Sequence, residues 1–180
     1  HDTLLRVLRS AAPEPEAVPG APPSEMESLV RERHAGRRVL LAEDNPINQE
    51  VAGELLRLVG LVVETADDGR QAVDRVLAEP FDLVLMDVQM PGLDGLAATR
   101  EIRAAGREAL PVIAMTANAF GEDRAACLAA GMNDHIAKPV DPEVLYAMLV
   151  RWLPASVSAA SPGPGQGAAG PGSGLVKPGR

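Results

Sequence analysis

Asp87 ends the run Phe81 to Met86, apolar except for Asp82, and Pro91-Gly92 turns the chain four residues later. A carboxylate so placed is expected at the rim of a sheet, facing solvent. Glu43-Asp44 ends an earlier apolar run, Thr116 ends a later one, and Lys138 a fourth. An acidic pair, a single acid, a hydroxyl and an ammonium at the tips of successive strands predict a pocket for magnesium-assisted phosphoryl transfer. Carboxylate oxygens with bound waters are the ligand set that Mg²⁺ prefers. Glu43, Asp44 and Asp87 supply it, with a backbone carbonyl at Gln89 as a further ligand. Three close acids repel one another, and a divalent cation relieves the repulsion. Phosphoryl transfer depends on positioning and charge neutralisation more than on covalent help. In this scheme Asp87 is a carboxylate nucleophile. Lys138 and Mg²⁺ hold the equatorial oxygens, and the Thr116 hydroxyl donates to one of them.

Taken singly, each residue has a plainer reading. An Asp after an apolar run caps a helix or turn, and Glu43-Asp44 before Asn-Pro is plain capping. Thr116 is an ordinary strand-end hydroxyl, and Lys138 before Pro139 a solvated loop lysine. Their joint occurrence, in order and at four strand tips, is what favours the chemical reading.

The elements that must position them follow from the pattern. Arg38 to Ala42 is short and apolar, as a doubly buried parallel strand should be. Asn45 suits an N-cap and Pro46 a first helical turn, while Ile47, Val51, Leu55, Leu58 and Val59 recur at helical spacing. Gly60 stops that helix. Leu61 to Thr65, Phe81 to Met86, Leu110 to Met115 and Asp134 to Ala137 read as four further strands. Helices are expected over Arg70 to Ala78, Asp94 or Gly95 to Ala104, Asn118 to Ala130, and from Asp141-Pro142 to Leu153. Such alternation gives an α/β fold with a parallel sheet. Ligands bind such sheets beyond the carboxyl ends of the strands, where the strand order reverses.

Around this regular region, residues 37–153, lie less regular segments. Residues 1–10 form a helical stub. Residues 11–36 read as a linker, proline-rich as far as Ser24, with a charged stretch from Glu25 to His34 able to add a short helix. Residues 154–180 are rich in Pro, Gly, Ala and Ser and read as a disordered tail. The 180 residues leave room for one ordinary domain with tails. Aromatics at 2% require an aliphatic core, and a net charge of -8 argues against nucleic-acid binding. One cysteine, Cys127, excludes an intrachain disulfide and suits a reducing, cytoplasmic setting. No apolar run approaches the roughly 20 residues of a membrane span. Beginning at His1, the chain reads as a fragment of a longer protein.

The segments VLLAEDNPINQEVA, DLVLMDVQMPGLDGLAATREIR, PVIAMTANAFGEDRAACLAAGMNDHIAKPVDP and LYAMLVRWLP resemble the receiver domains of two-component phosphorelays. Those of bacterial hybrid sensor histidine kinases are especially similar. The resemblance implies a flavodoxin-like (CheY-like) five-stranded parallel sheet of order 2-1-3-4-5, with helices on both faces. It implies Asp87 as phosphoacceptor, Glu43 and Asp44 as the acidic pair for Mg²⁺, Thr116 as switch hydroxyl and Lys138 as the phosphate-binding lysine. It also implies a cis Lys138-Pro139 peptide. Departures are informative too. His135 stands where the family's switch aromatic is found, and Gln89 and Asn118 occupy the positions that tune phosphate lifetime.

By the same resemblance the phosphodonor is a phosphohistidine, on kinase dimerisation helices or on a histidine phosphotransfer domain. Ile47, Asn48, Gln49 and Val51 are candidates for the docking edge, with core burial the alternative for Val51. The expected parent is a histidine kinase, itself able to be membrane-anchored, while the fragment has no enzymatic activity beyond self-phosphorylation and autodephosphorylation. His1 to Leu8 aligns with Tyr146 to Leu153 at several apolar positions, as if a preceding receiver ended there. Two rivals stay open. An aspartate-dependent phosphatase requires an acid where Gln89 stands. A degenerate receiver that only mediates contacts fits poorly with five intact site residues.

Overall fold

The computed structural model describes residues 23–117 and 122–154. Five parallel strands form one sheet of order β2-β1-β3-β4-β5: β1 (Arg38–Ala42), β2 (Val62–Ala66), β3 (Leu83–Asp87), β4 (Val112–Thr116) and β5 (Asp134–Ala137). Among the described residues, six helices connect and flank them: α1 (Glu25–His34), α2 (Pro46–Leu58), α3 (Gly69–Ala78), α4 (Gly95–Ala104), α5 (Glu122–Ala129) and α6 (Pro142–Trp152).

Because side chains alternate across a strand, the central strands feed two cores. Val39, Leu41, Leu83, Leu85, Ile113, Met115 and Ile136 pack with Val30 of α1, with Ala52 and Leu56 of α2, and with Leu145 and Leu149 of α6. Leu40, Ala42, Val84, Met86, Val112 and Ala114 pack on the other side with Val73 and Val76 of α3, Ile102 of α4 and Cys127 of α5. β3 and β4 are buried along their whole length, so their residues read as continuous apolar runs. β2 lies at the edge, and its Val62 is exposed. Tyr146 contributes the sole aromatic ring to the buried apolar set among the described residues, and its hydroxyl donates to the Leu55 carbonyl at 3.2 Å.

Short polar side chains start the helices. Asn45 accepts from the Ile47 N–H, Asp68 from Gln71, Asp94 from Ala97 and Asp141 from Glu143. Pro46 and Pro142 occupy the first helical turns, where no amide donor is needed. Gly60 follows α2 with φ of 81°, a left-handed conformation that a side chain would strain.

Two open readings are decided by the packing. The short helix that the charged stretch from Glu25 to His34 was able to add forms over those residues and packs on α6, with Val30 and His34 buried. Its entry is fixed by Ser24, which caps Glu27, and its exit by His34, whose Nδ1 lies 3.2 Å from the Pro154 carbonyl. Val51 is 54% exposed and not a core residue, because Ala52, Gly53 and Leu56 occupy the inner face of α2. Strands β2, β3 and β4 also begin one or two residues later than their apolar runs. Before β3, Asp82 turns its carboxylate to the Arg38 amide (2.8 Å) and Arg37 (3.2 Å). The stub 1–10, the expected helix start at 118–121 and the tail beyond 154 lie outside the described residues.

Candidate functional site

The site lies at the carboxyl end of the sheet. Asp87 and Thr116 are the last residues of β3 and β4, Glu43-Asp44 follow β1, and Lys138 follows β5. Strand order reverses at β1, whose neighbours are β2 and β3, so the tips of β1 and β3 flank the crevice. Backbone bonds tie the tips together. The Lys138 N–H donates to the Thr116 carbonyl at 2.7 Å, and the Val88 N–H donates to Met115 at 3.1 Å.

The Lys138 ammonium bridges two carboxylates, 2.7 Å from Asp87 Oδ2 and 2.8 Å from Glu43 Oε2. Both acids are almost wholly buried. Glu43 Oε1 accepts from the Asn45 N–H at 3.1 Å and faces Asn48 Nδ2 at 3.5 Å. Asp87 Oδ1 accepts from the Gln89 N–H at 3.0 Å. Glu43, Asp44 and Asp87 each place a carboxylate oxygen within 4.8 Å of the others, with Asp44 exposed to solvent. Hard oxygen donors around an open face form a set suited to a cation such as Mg²⁺.

The three charges act as one coupled system. Burial pushes the Asp87 carboxyl up, aided by the Glu43 charge, and the bonds from Lys138 and Gln89 do not fully offset it. Burial also pushes Glu43 up, but bonds from Lys138 and the Asn45 amide outweigh it and hold that carboxyl below its ordinary range. Burial disfavours the Lys138 ammonium, yet its two carboxylate partners hold it protonated above the usual range. One ammonium thus serves two anions, and Asp87 is the less well compensated.

Beneath Asp87 lies Gly95, whose N–H donates to the Val88 carbonyl at 3.1 Å. A Cβ there would sit 2.1 Å from the Asp87 carbonyl oxygen. Gly69 meets the loop after β3 as closely, with Leu93 O 2.1 Å from a hypothetical Cβ. Sequence reasoning missed both glycines as supports of the site, although glycine in a first helical turn, where alanine propagates better, was a signal. It also missed Asn45 as a donor to Glu43. Of the remaining candidates, His135 is half-buried, with Nδ1 3.7 Å from the Asp134 carboxylate, and it registers beside Ala114. The Lys138-Pro139 peptide is cis. Gln89 is exposed, and Asn118 falls outside the described residues. No described helix is long and apolar enough to cross a membrane.

The profile of the response regulator receiver domain matches residues 39–150. The chain belongs to this family. It is 43% identical over 119 residues to the signal transduction histidine-protein kinase BarA of Escherichia coli K12, a match covering 66% of this chain and 13% of BarA. It is 41% identical over 119 residues to the sensor protein GacS of Pseudomonas syringae, covering 64% of this chain and 13% of that one. The receiver domain of sensor histidine kinase PA1611 from Pseudomonas aeruginosa, solved with a magnesium ion in its active site cleft, superposes with a TM-score of 0.61. It shares 50% identity and covers 66% of this chain and 98% of its own. The Saccharomyces cerevisiae receiver domain of Ssk1, crystallised with the histidine phosphotransfer protein Ypd1, gives a TM-score of 0.62 at 29% identity, covering 66% and 89%. The receiver fold expected from the sequence, its strand order included, is the fold observed.

Proposed function

We propose that this receiver accepts a phosphoryl group on Asp87 from a phosphohistidine, with Mg²⁺ held by Glu43, Asp44, Asp87 and the Gln89 carbonyl. The observation that carries the reading is the Lys138 ammonium, set 2.7 Å from the acceptor oxygen beside three converging carboxylates. The Asp87 carboxylate attacks phosphorus, a P–O bond forms, and the P–N bond to the donor imidazole breaks with its electron pair returning to nitrogen. Lys138 is poised to hold a phosphoryl oxygen once Asp87 is esterified, and Thr116, at the tip of the adjacent strand, to engage another. Bound Mg²⁺ supplies charge neutralisation to the phosphoryl oxygens. Thr116 and His135 are the residues through which we expect the switch to act, and Gln89 and Asn118 those that tune phosphate lifetime.

The donor is a histidine phosphotransfer domain or the dimerisation helices of a kinase. Ile47 and Val51, at 70% and 54% exposure on α2 beside the pocket, are an apolar edge for it. The parent is a hybrid sensor histidine kinase, of which this chain is a cytoplasmic receiver segment. Incubation with acetyl phosphate and Mg²⁺, followed by intact mass measurement, tests the acceptor. One phosphoryl group is expected on the native chain and none on Asp87→Ala. A gain that persists in Asp87→Ala refutes the assignment.

A further inference from the structure

Gln49, in the first turn of α2, does not face outward as a docking residue would. Its Nε2 donates to the Glu43 carbonyl at 2.6 Å and to Asp67 Oδ1 at 2.8 Å, with the Ala66 carbonyl at 3.5 Å. All three partners are acceptor oxygens, which sets the orientation of the amide. The Glu43 carbonyl belongs to the peptide joining Glu43 to Asp44. Holding it sets the plane of that peptide and so the direction in which Asp44 leaves the chain. Asp67 belongs to the loop after β2, so one carboxamide also joins the loops that follow β1 and β2. Glu43 needs no such help, because Lys138, Asn45 and Asn48 already bind its carboxylate. Asp44 is exposed and depends on its backbone for its place.

Resting on the receiver reading above, we propose that Gln49 is a positioning residue that holds the Glu43-Asp44 peptide so that the Asp44 carboxylate converges with Glu43 and Asp87 on the cation. Groups that orient metal ligands without touching the metal change affinity measurably, by about tenfold or more.

The test is a double-mutant cycle on the full 180-residue chain, with Mg²⁺ binding measured by isothermal titration calorimetry. Gln49→Met keeps side-chain length without donors, and Gln49→Ala provides a second, smaller replacement. Both are expected to weaken Mg²⁺ about tenfold in the native background and to have no further effect in Asp44→Asn. Phosphorylation by acetyl phosphate is expected to need more Mg²⁺ for half-saturation yet reach the native extent at saturating Mg²⁺. Unchanged affinity in both Gln49 variants, or an equal loss in the Asp44→Asn background, overturns the inference alone. Native protein that does not bind Mg²⁺ overturns the receiver reading and this inference with it.

Discussion

Replacing Asp87 with Asn is expected to stabilise the metal-free domain while abolishing its function. Asp87 and Glu43 carry carboxylate oxygens within 4.8 Å of each other. At an effective dielectric constant of about 20, that repulsion is at least about 3.5 kcal/mol. The bond to Lys138 at 2.7 Å returns about 6 kcal/mol on the same scale. Against it stands the burial of an ion, several kcal/mol even after relaxation. The raised titration of Asp87 says that burial and repulsion together win. An Asn amide relieves both but forgoes the charge attraction of Lys138, and it turns its NH₂ toward one of the two donors, Lys138 or the Gln89 N–H, which loses about 1 kcal/mol more. The net expectation is a gain of about 1 kcal/mol, or about 4 °C in melting temperature for a domain of this size. Thermal melts in EDTA at pH 7 measure it. Because the carboxyl titrates above its ordinary 3.8, acidification through that range removes the cost from the native protein and closes the gap. Saturating Mg²⁺ acts in the opposite sense. At a hundredfold its dissociation constant it stabilises the native chain by about 2.7 kcal/mol, and the variant by less. A variant less stable than native in EDTA at pH 7 would refute this ordering of forces, since pairing with Lys138 would then outweigh burial and Glu43 repulsion.

Gly69→Ala is expected to cost about 3 kcal/mol, because a Cβ there meets the Leu93 carbonyl oxygen at 2.1 Å and the backbone must move; urea unfolding with an unchanged midpoint would contradict that packing. His34 is held below its ordinary 6.5 by burial, only partly offset by the Pro154 carbonyl, with Arg37 and Arg33 adding repulsion. Its folded state therefore resists protonation, and stability is full above about pH 6.5 and declines as pH falls below it. His34→Gln should flatten the melting temperature between pH 7.5 and 5.5, and an identical slope in native and variant would remove His34 as the cause. Replacing both Ile47 and Val51 with Ser should slow phosphoryl transfer from a phosphotransfer protein by about tenfold, at about 1.4 kcal/mol, while leaving acetyl phosphate labelling intact. Equal slowing with both donors would show that these side chains serve the pocket and not the donor.

What was legible in the sequence is what short-range physics decides. Residues 38–42 form a strand at the expected bounds, because a buried parallel strand requires continuous apolar side chains and leaves little choice of register; the edge strand 134–137, with only Ile136 buried, keeps its expected bounds as well. The placement of the candidate residues was legible for the same reason, since a polar residue that ends such a run must lie at the sheet's rim. Boundaries drifted where an apolar residue precedes the first ladder bond. Pro111 has no N–H to donate, and Asp82 spends its side chain on the Arg38 amide, so β4 and β3 start after them.

The harder failures share a cause, which is that their signals are tertiary. α1 carries only Met26, Leu29 and Val30 among charged residues, so the composition allows a short helix there without showing that it packs on the domain. It becomes structure because α6 has an apolar side to cover, with Tyr146, Leu149 and Leu153 packed in the same core as Val30. Val51 fails in the opposite direction, since helical spacing admits it to the inner stripe until Ala52, Gly53 and Leu56 are seen to fill that stripe. Gln49 is invisible to periodicity altogether. A glutamine in a first helical turn is ordinary, and its role depends on two carbonyls and a carboxylate delivered by β1, β2 and the loop beyond. Acids, hydroxyl and lysine draw the eye as candidates for phosphoryl chemistry because that chemistry demands those types. The groups that aim them answer only to local geometry, where amides, glycines and backbone N–H groups serve equally well. A site can therefore be named from sequence well before its supporting residues can.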